Sequence, residues 1–135
     1  MNKDNCFLII PASGIGKRMN EIIPKQYLKL DNGITIIDQC LKTLLSEDRI
    51  TSFVVAIADG DNRFESSTYF NHPKMFSIIK GGKERYHSVF NALNALNDSA
   101  NYNDWVLIHD AVRPCIQKND VKNLIDEVSN HSIGG

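Results

Sequence analysis

Short apolar segments alternate along the chain with longer segments whose apolar residues recur at helical spacing. The four short segments cover residues 6–10, 51–59, 76–82 and 105–111. Apolar runs of this length are typical of strands buried on both faces of a parallel sheet. The pattern therefore predicts four such strands.

The longer segments predict amphipathic helices, the first of them with Thr35 as its N-cap. The apolar residues that define the three helices are Ile36, Ile37, Cys40, Leu41, Leu44 and Leu45; Val89, Phe90, Ala92, Leu93 and Leu96; and Val121, Leu124, Ile125 and Val128. The polar segment 58–74 predicts a loop with a short helix. Strands that alternate with helices indicate βαβ units. We predict one α/β domain over residues 1–135, a Rossmann-like three-layer sandwich with a mostly parallel sheet.

Composition narrows the function classes. The 135 residues suffice for one compact domain. With 15 basic and 16 acidic residues the net charge is -1, which argues against a general nucleic-acid binder. Apolar runs stay below the ~18 residues of a membrane span, and the first residues resemble neither a signal nor a transit peptide. Cys6, Cys40 and Cys115 form no CxxC pair, which predicts reduced thiols and a cytoplasmic protein.

Three unusual motifs each follow a predicted strand. "PASGIGKR" follows the first strand, "GGKER" the third and "HDAVRP" the fourth. In open parallel sheets, ligands bind beyond the carboxyl ends of the strands. The three motifs together therefore predict one binding site at this rim of the sheet.

The first motif combines glycines with cations. Gly14 and Gly16 allow the backbone to turn tightly and to approach an anion. The P-loop pattern fails because Arg18 stands where Ser or Thr is required, and the dinucleotide pattern fails because Met19 replaces its third glycine. The Arg18 guanidinium and the Lys25 ammonium both suit phosphate oxygens. We interpret this segment as an anion site rather than as a turn with solvated cations.

The second motif leads into a helix, whose first N–H groups favour polar or anionic ligand atoms. Ser88 and Glu84 could contact a base or cap the helix, and the residues themselves leave both readings open. Arg85 and His87 are expected to be solvated.

The third motif places Asp110 directly after a buried strand. A carboxylate there, beside two loops that suit phosphate, predicts a Mg²⁺ ligand, with a turn-capping Asp as the alternative. His109 is expected to be a packed or hydrogen-bonded structural residue. Arg113 could bind a substrate phosphate or pair with an acid.

Taken together, "PASGIGKRM…PKQYL", "GGKERYHSV" and "HDAVRP" resemble the 2-C-methyl-D-erythritol 4-phosphate cytidylyltransferase family in order and spacing. The resemblance covers the whole chain, including "AIADGDNRF" and "WVLIHDAVRPC". It implies a GT-A-like nucleotidyltransferase fold. It also implies an enzyme that transfers CMP from CTP to a sugar-alcohol phosphate and releases pyrophosphate.

The resemblance also implies residue roles. Arg18 and Lys25 would stabilise the transition state, Asp110 would bind Mg²⁺, and Arg113 would lie near the second substrate. The implied CTP-binding residues are Pro11, Ala12, Ser13, Gly14, Gly16, Gly82 and Ser88. Lys83 stands where the family often has an acid, which leaves a side-chain contact to the base open; Ser13 and Val112 are smaller departures.

The family pattern continues beyond Gly135 with further residues for the second substrate and an arm that forms a dimer. We therefore interpret this chain as the CTP-binding portion, and expect little turnover from these 135 residues alone. The expected partners are CTP and a sugar-alcohol phosphate, with a homodimer for the full-length protein and neither nucleic acid nor membrane. The alternatives are a ribitol-5-phosphate cytidylyltransferase and a non-catalytic CTP-binding fragment.

Overall fold

The computed structural model describes residues 5–14, 23–101 and 103–130. The described residues form four strands: β1 (Cys6–Ala12), β2 (Ile50–Ile57), β3 (Met75–Lys80) and β4 (Trp105–Ile108). They also form three α-helices: α1 (Ile36–Leu45), α2 (Arg85–Leu96) and α3 (Lys118–Asn130). Single 3₁₀ turns cover Lys25–Tyr27 and Arg63–Ser66. The predicted alternation of strands and helices is confirmed, and so is the short helix within segment 58–74.

Helices cover both faces of the sheet, as the three-layer prediction requires. On one face, Leu8 and Phe53 of the sheet pack with Leu41 of α1 and Ile125 of α3. On the other face, Ile9 and Val54 pack with Ala92 and Leu96 of α2. Alternate residues of β1 thus enter two separate cores, as the two-residue period of a strand demands.

The two central strands differ from the two outer ones in burial. Leu8, Ile9 and Val54 are fully buried, whereas Phe76 of β3 is 40% exposed and Ile108 of β4 is 39% exposed. The prediction of burial on both faces is therefore right for β1 and β2 and wrong for β3 and β4. The reason is their position, since β3 and β4 are the edges of the described sheet.

The helices follow the predicted pattern to different degrees. In α1, the Thr35 hydroxyl accepts a hydrogen bond from the Asp38 N–H at 3.3 Å, so the predicted N-cap is confirmed. In α2, the predicted apolar face is partly wrong, because Phe90 is 60% exposed and Leu93 is 40% exposed. Its buried positions are Ser88, Ala92 and Leu96, which repeat every four residues along one helix face. In α3, Val121 and Ile125 are buried and Leu124 is 40% exposed.

The strand order β3-β2-β1-β4, with every pair parallel, contains one reversal of direction. The chain winds outward from β1 through β2 to β3 and then crosses back to place β4 on the other side of β1. Such a switch point opens a crevice between the carboxyl ends of the two diverging strands. Here it lies between the ends of β1 and β4. No helix in the described residues is long and apolar enough to cross a membrane.

Candidate active site

A cleft of about 270 Å³ opens at the switch point. The residues that line it are Pro11, Ala12, Ser13, Gly14, Gln26, Lys83, Arg85, Asp110, Ala111 and Val112. Four segments thus meet here: the end of β1 with the loop after it, the 3₁₀ turn Lys25–Tyr27, the segment leading into α2, and the loop after β4. Four of the residues predicted to bind CTP and the predicted metal ligand share this one cleft.

The loop after β1 is joined to α2 by a pair of serines. The Ser13 and Ser88 hydroxyls lie 2.6 Å apart, and the Gly82 N–H donates to the Ser88 oxygen at 3.1 Å. The Ser13 hydroxyl in turn donates to the Gly82 carbonyl at 3.3 Å. Three of the predicted CTP-binding residues are therefore bonded to one another. Ser88 is fully buried, so its hydroxyl links the two loops from behind the cleft.

Glycine permits this close approach. Gly81 lies over the end of β2, where its N–H donates to the Ile57 carbonyl at 2.7 Å. A Cβ at Gly81 would lie 2.5 Å from the Ser13 Cβ and 2.5 Å from the Ser88 Oγ. At Gly82, a Cβ would lie 2.1 Å from the His87 Cβ. The two glycines therefore let the loop after β3 cross β2 and reach the loop after β1.

Gly81→Ala is expected to destabilise the protein by ~1–3 kcal/mol, the usual cost of an overpacked methyl group. The added Cβ must push Ser13 away from Ser88, and Ser88 cannot follow because α2 is packed in the core through Ala92 and Leu96. Gly14→Ala is the matched control for stability, because nothing lies within 4 Å of a Cβ at that position. Urea unfolding of the two variants measures the difference. Equal stability of both variants would contradict the steric argument.

Asp110 lies two residues beyond β4 and is held by two arginines. Arg85 Nε donates to Oδ1 at 2.7 Å, and Arg113 Nε donates to Oδ2 at 3.0 Å. Partial burial raises the pKa of Asp110, but the hydrogen bonds from the two guanidinium groups outweigh it, so the pKa lies below its ordinary value. The carboxylate therefore stays ionised at neutral pH. Arg113 therefore pairs with an acid, and its contact with a substrate phosphate stays a prediction.

The residues on either side of Asp110, His109 and Ala111, form hydrogen bonds that hold the loop after β4 in place. The Cys40 thiol of α1 donates to the Ala111 carbonyl at 3.6 Å, and burial raises the pKa of Cys40 to about 11. The His109 N–H donates to the Ile9 carbonyl at 3.1 Å and so extends the β1–β4 ladder. Burial lowers the pKa of His109, which favours the neutral imidazole. The expectation that His109 is a packed structural residue agrees with this position.

Lys25 opens the 3₁₀ turn beside the cleft. Its side chain is exposed and is not part of the described lining, whereas Pro24 before it and Gln26 after it are buried. The turn is anchored by Tyr27, whose hydroxyl donates to Asp61 Oδ2 at 2.6 Å. The predicted site residues Gly16 and Arg18 lie outside the described residues.

Two polar side chains of the cleft, Arg85 and Gln26, were not predicted from the sequence. Arg85 was expected to be solvated, yet it contacts Asp110, 25 positions along the chain. One signal was present: a cation in the first turn of a helix opposes the helix dipole, so it favours an acidic partner. Gln26 was not singled out, and nothing in "PKQYL" distinguishes a buried amide from a solvated one.

Glu84 has a local role at the start of α2. Its N–H donates to His87 Nδ1 at 3.3 Å, a contact between the N-cap and the third helical residue. Glu84 is therefore the N-cap residue of α2, and a contact of its side chain to a base stays a prediction.

The described residues contain no group of three or more His, Cys, Asp or Glu side chains that could hold a metal ion. Asp110 is the carboxylate of the described cleft lining. One carboxylate fits Mg²⁺ when phosphate oxygens supply further ligands, as Mg²⁺ commonly prefers. The donor set therefore suits an ion that arrives with a polyphosphate.

Known proteins with similar sequences belong to one enzyme family. The family model for 2-C-methyl-D-erythritol 4-phosphate cytidylyltransferase matches residues 6–135. A relative of that name from Ruthia magnifica subsp. Calyptogena magnifica is 54% identical over 136 residues, covering 96% of this chain and 56% of the relative. The one from Vibrio vulnificus (strain YJ016) is 41% identical over 127 residues, covering 94% and 53%. The chain thus spans about half the length of the curated relatives it matches.

Solved structures of two enzymes have a fold similar to that of this chain. The crystal structure of the Francisella tularensis enzyme of that name has a TM-score of 0.76 at 38% identity, covering 96% of this chain and 54% of that one. A CMP:2-keto-3-deoxy-manno-octonic acid synthetase solved with CTP has a TM-score of 0.70 at 16% identity, covering 96% and 49%. The second likeness concerns the fold alone.

The fold and the solved structures together define a Rossmann-like α/β fold of the nucleotidyltransferase type. Its helices cover both faces of a parallel sheet, and its loops meet at the switch point. Within that class, the chain belongs to the 2-C-methyl-D-erythritol 4-phosphate cytidylyltransferase family.

Proposed function

We propose that the full-length protein transfers CMP from CTP to 2-C-methyl-D-erythritol 4-phosphate, as a step in isoprenoid precursor synthesis. The products are 4-diphosphocytidyl-2-C-methyl-D-erythritol and pyrophosphate. The observation that carries the proposal is the cleft between β1 and β4, where a glycine loop faces a carboxylate paired with two arginines. Family membership supports this acceptor over ribitol 5-phosphate, and an enzyme over a non-catalytic binder.

The chemistry is an in-line displacement. A phosphate oxygen of the acceptor attacks the α-phosphorus of CTP, the bond to the β-phosphate oxygen breaks, and pyrophosphate leaves with that electron pair. The attacking phosphate is already anionic, so no strong base is needed. The protein has to bring two anions together and to stabilise the charge that develops between them. We assign that stabilisation to Lys25 and Arg18.

CTP is proposed to lie along the loop after β1, with Pro11, Ala12, Ser13, Gly14 and Gly16 around it. Gly82 and Ser88 are assigned to the cytosine and ribose side. Because Ser88 is fully buried and bonded to Ser13 and the Gly82 N–H, we assign it the role of shaping that wall.

Asp110 is proposed to hold Mg²⁺ together with phosphate oxygens of CTP. The ion, when bound, would offset triphosphate charge and orient the α-phosphate for attack. Before CTP and the ion bind, Arg85 and Arg113 both pair with the Asp110 carboxylate. The side chain of Arg85 is 57% exposed and that of Arg113 is 75% exposed. Exposed pairs of this kind are weak, about 0–1 kcal/mol each. Both arginines can therefore turn from Asp110 to the arriving phosphates, with Arg113 assigned to the second substrate.

The oligomeric state and the cellular compartment of the full-length protein follow from the same family membership as proposals. We infer a homodimer acting in the cytoplasm, with CTP and the sugar-alcohol phosphate as its small-molecule partners. Light scattering on the full-length protein measures the mass of the assembly directly.

A pyrophosphate-release assay on the full-length protein tests the proposed activity. With CTP, Mg²⁺ and 2-C-methyl-D-erythritol 4-phosphate, we expect release of one pyrophosphate for each CMP transferred. Ribitol 5-phosphate under the same conditions should give at least tenfold lower kcat/KM. Equal rates with both acceptors would contradict the assigned substrate, and CTP binding without turnover would favour the binding module.

A further inference from the structure

Gln26 is a buried amide bonded to the backbone of the candidate nucleotide loop. Its side-chain nitrogen donates to the Ala12 carbonyl at 2.9 Å and to the Gly14 carbonyl at 3.0 Å. Gln26 is 4% exposed, and it also lines the cleft. One NH₂ group therefore satisfies two carbonyl oxygens on either side of Ser13.

These two bonds constrain the loop. In a trans peptide the N–H points opposite to the C=O, so fixing the Ala12 carbonyl also fixes the direction of the Ser13 N–H. The bond to the Ala12 carbonyl is buried, and a buried carbonyl left without a donor costs free energy, so the loop shape at Ala12 depends on the Gln26 amide.

Gln26 also directly follows Lys25 in the 3₁₀ turn, and backbone hydrogen bonds hold that turn in place. The Tyr27 N–H donates to the Pro24 carbonyl at 2.9 Å, and the Leu28 N–H donates to the Lys25 carbonyl at 3.1 Å. Tyr27 is part of the core, and burial together with its hydrogen bond to Asp61 raises its pKa, so it remains a donor. The side chain of Gln26 thus joins the backbone that carries Lys25 to the loop proposed to hold CTP.

We propose that Gln26 is a positioning residue that fixes the Lys25 ammonium relative to the nucleotide loop. The inference rests on the proposed function, since it concerns the same transfer reaction. Gln26 touches neither substrate nor reacting atoms in this role. It acts through two carbonyl groups on one side and through the backbone of Lys25 on the other.

A double-mutant cycle in the full-length protein separates positioning from a general contribution to folding. The variants are Gln26→Met, which keeps the length of the side chain and removes both donors, Lys25→Ala, and the two combined. The control is Gln117→Met, the same change at an exposed residue just before α3. Pyrophosphate release gives kcat and KM, and thermal unfolding gives Tm for every variant.

We expect Gln26→Met to lower kcat ~10–100-fold, the scale of one buried and one partly buried hydrogen bond lost together. In the Lys25→Ala background the same change should lower kcat by less than about threefold, because there is no ammonium left to misplace. The fall in Tm should be the same in both backgrounds. Gln117→Met should leave kcat and Tm near wild type.

Full additivity of the two kcat losses would overturn the proposal, and so would an unchanged kcat in Gln26→Met. If Gln26→Met does not fold, Gln26→Glu enters the same cycle; failure of both to fold would make the residue structural and overturn the positioning role. An inactive wild type would instead overturn the proposed function. The positioning role would fall with it, because that role concerns the same transfer reaction.

Discussion

Replacing Lys25 with Ala in the full-length protein is expected to lower kcat for CMP transfer by ~10²–10³-fold, with a much smaller rise in KM for CTP. The charge that Lys25 would neutralise grows as the acceptor oxygen approaches the α-phosphorus, so the contact is strongest in the transition state. Pro24 before it is buried, and the Lys25 carbonyl accepts from the Leu28 N–H, so the backbone that carries the side chain is fixed. Steady-state kinetics separate the two parameters.

Lys29→Ala is the matched control for this measurement. Lys29 is also exposed, lies four positions further on, and is bridged through its backbone to Thr35. Its removal takes away the same charge from the same segment, so it should change kcat less than about twofold. Arg18→Ala is expected to behave like Lys25→Ala. If either variant shows only a raised KM with kcat intact, that cation binds the ground state and our role for it is wrong.

The strands could be predicted from the sequence because burial on both faces produces continuous apolar runs. β1 and β2 are buried on both faces as predicted, because each has a strand on either side. The prediction fails for β3 and β4, because whether a strand lies at an edge depends on the order of strands in space. Helix α2 shows a related limit: several of its faces carry apolar residues, and Ser88 faces inward because its hydroxyl bonds Ser13 and Gly82.

The position of the site was predictable because the carboxyl ends of parallel strands share one rim. Its internal contacts were not. Ser13 meets Gly82 and Ser88 only because the loop after β3 crosses the end of β2, and that path depends on the strand order β3-β2-β1-β4. Arg85 and Gln26 were not predicted for a similar reason. The partner of Arg85 is Asp110, which is distant in sequence, and the partners of Gln26 are backbone carbonyls, which carry no sequence signal.

Asp110→Asn is expected to weaken CTP binding in the presence of Mg²⁺ but not in its absence. In the presence of Mg²⁺ the variant should bind CTP ~10-fold or more weakly, because an amide is a poorer Mg²⁺ ligand than a carboxylate. Without Mg²⁺ it should bind CTP as tightly as the wild type or more tightly. The change removes a negative charge from the cleft and releases the Arg85 and Arg113 guanidinium groups, which then face the triphosphate unpaired with Asp110.

Titration calorimetry with CTP, with and without Mg²⁺, measures both affinities in the full-length protein. Asp126→Asn is the matched control, because that carboxylate also accepts from two cations, Arg49 at 2.6 Å and Lys122 at 2.9 Å, but does not line the cleft. It should leave both affinities unchanged. A metal-independent loss in Asp110→Asn would mean that the carboxylate contributes through the arginines alone and holds no ion. A change of sign between the two conditions would instead assign it both tasks: pairing the arginines before CTP arrives, and binding the ion afterwards.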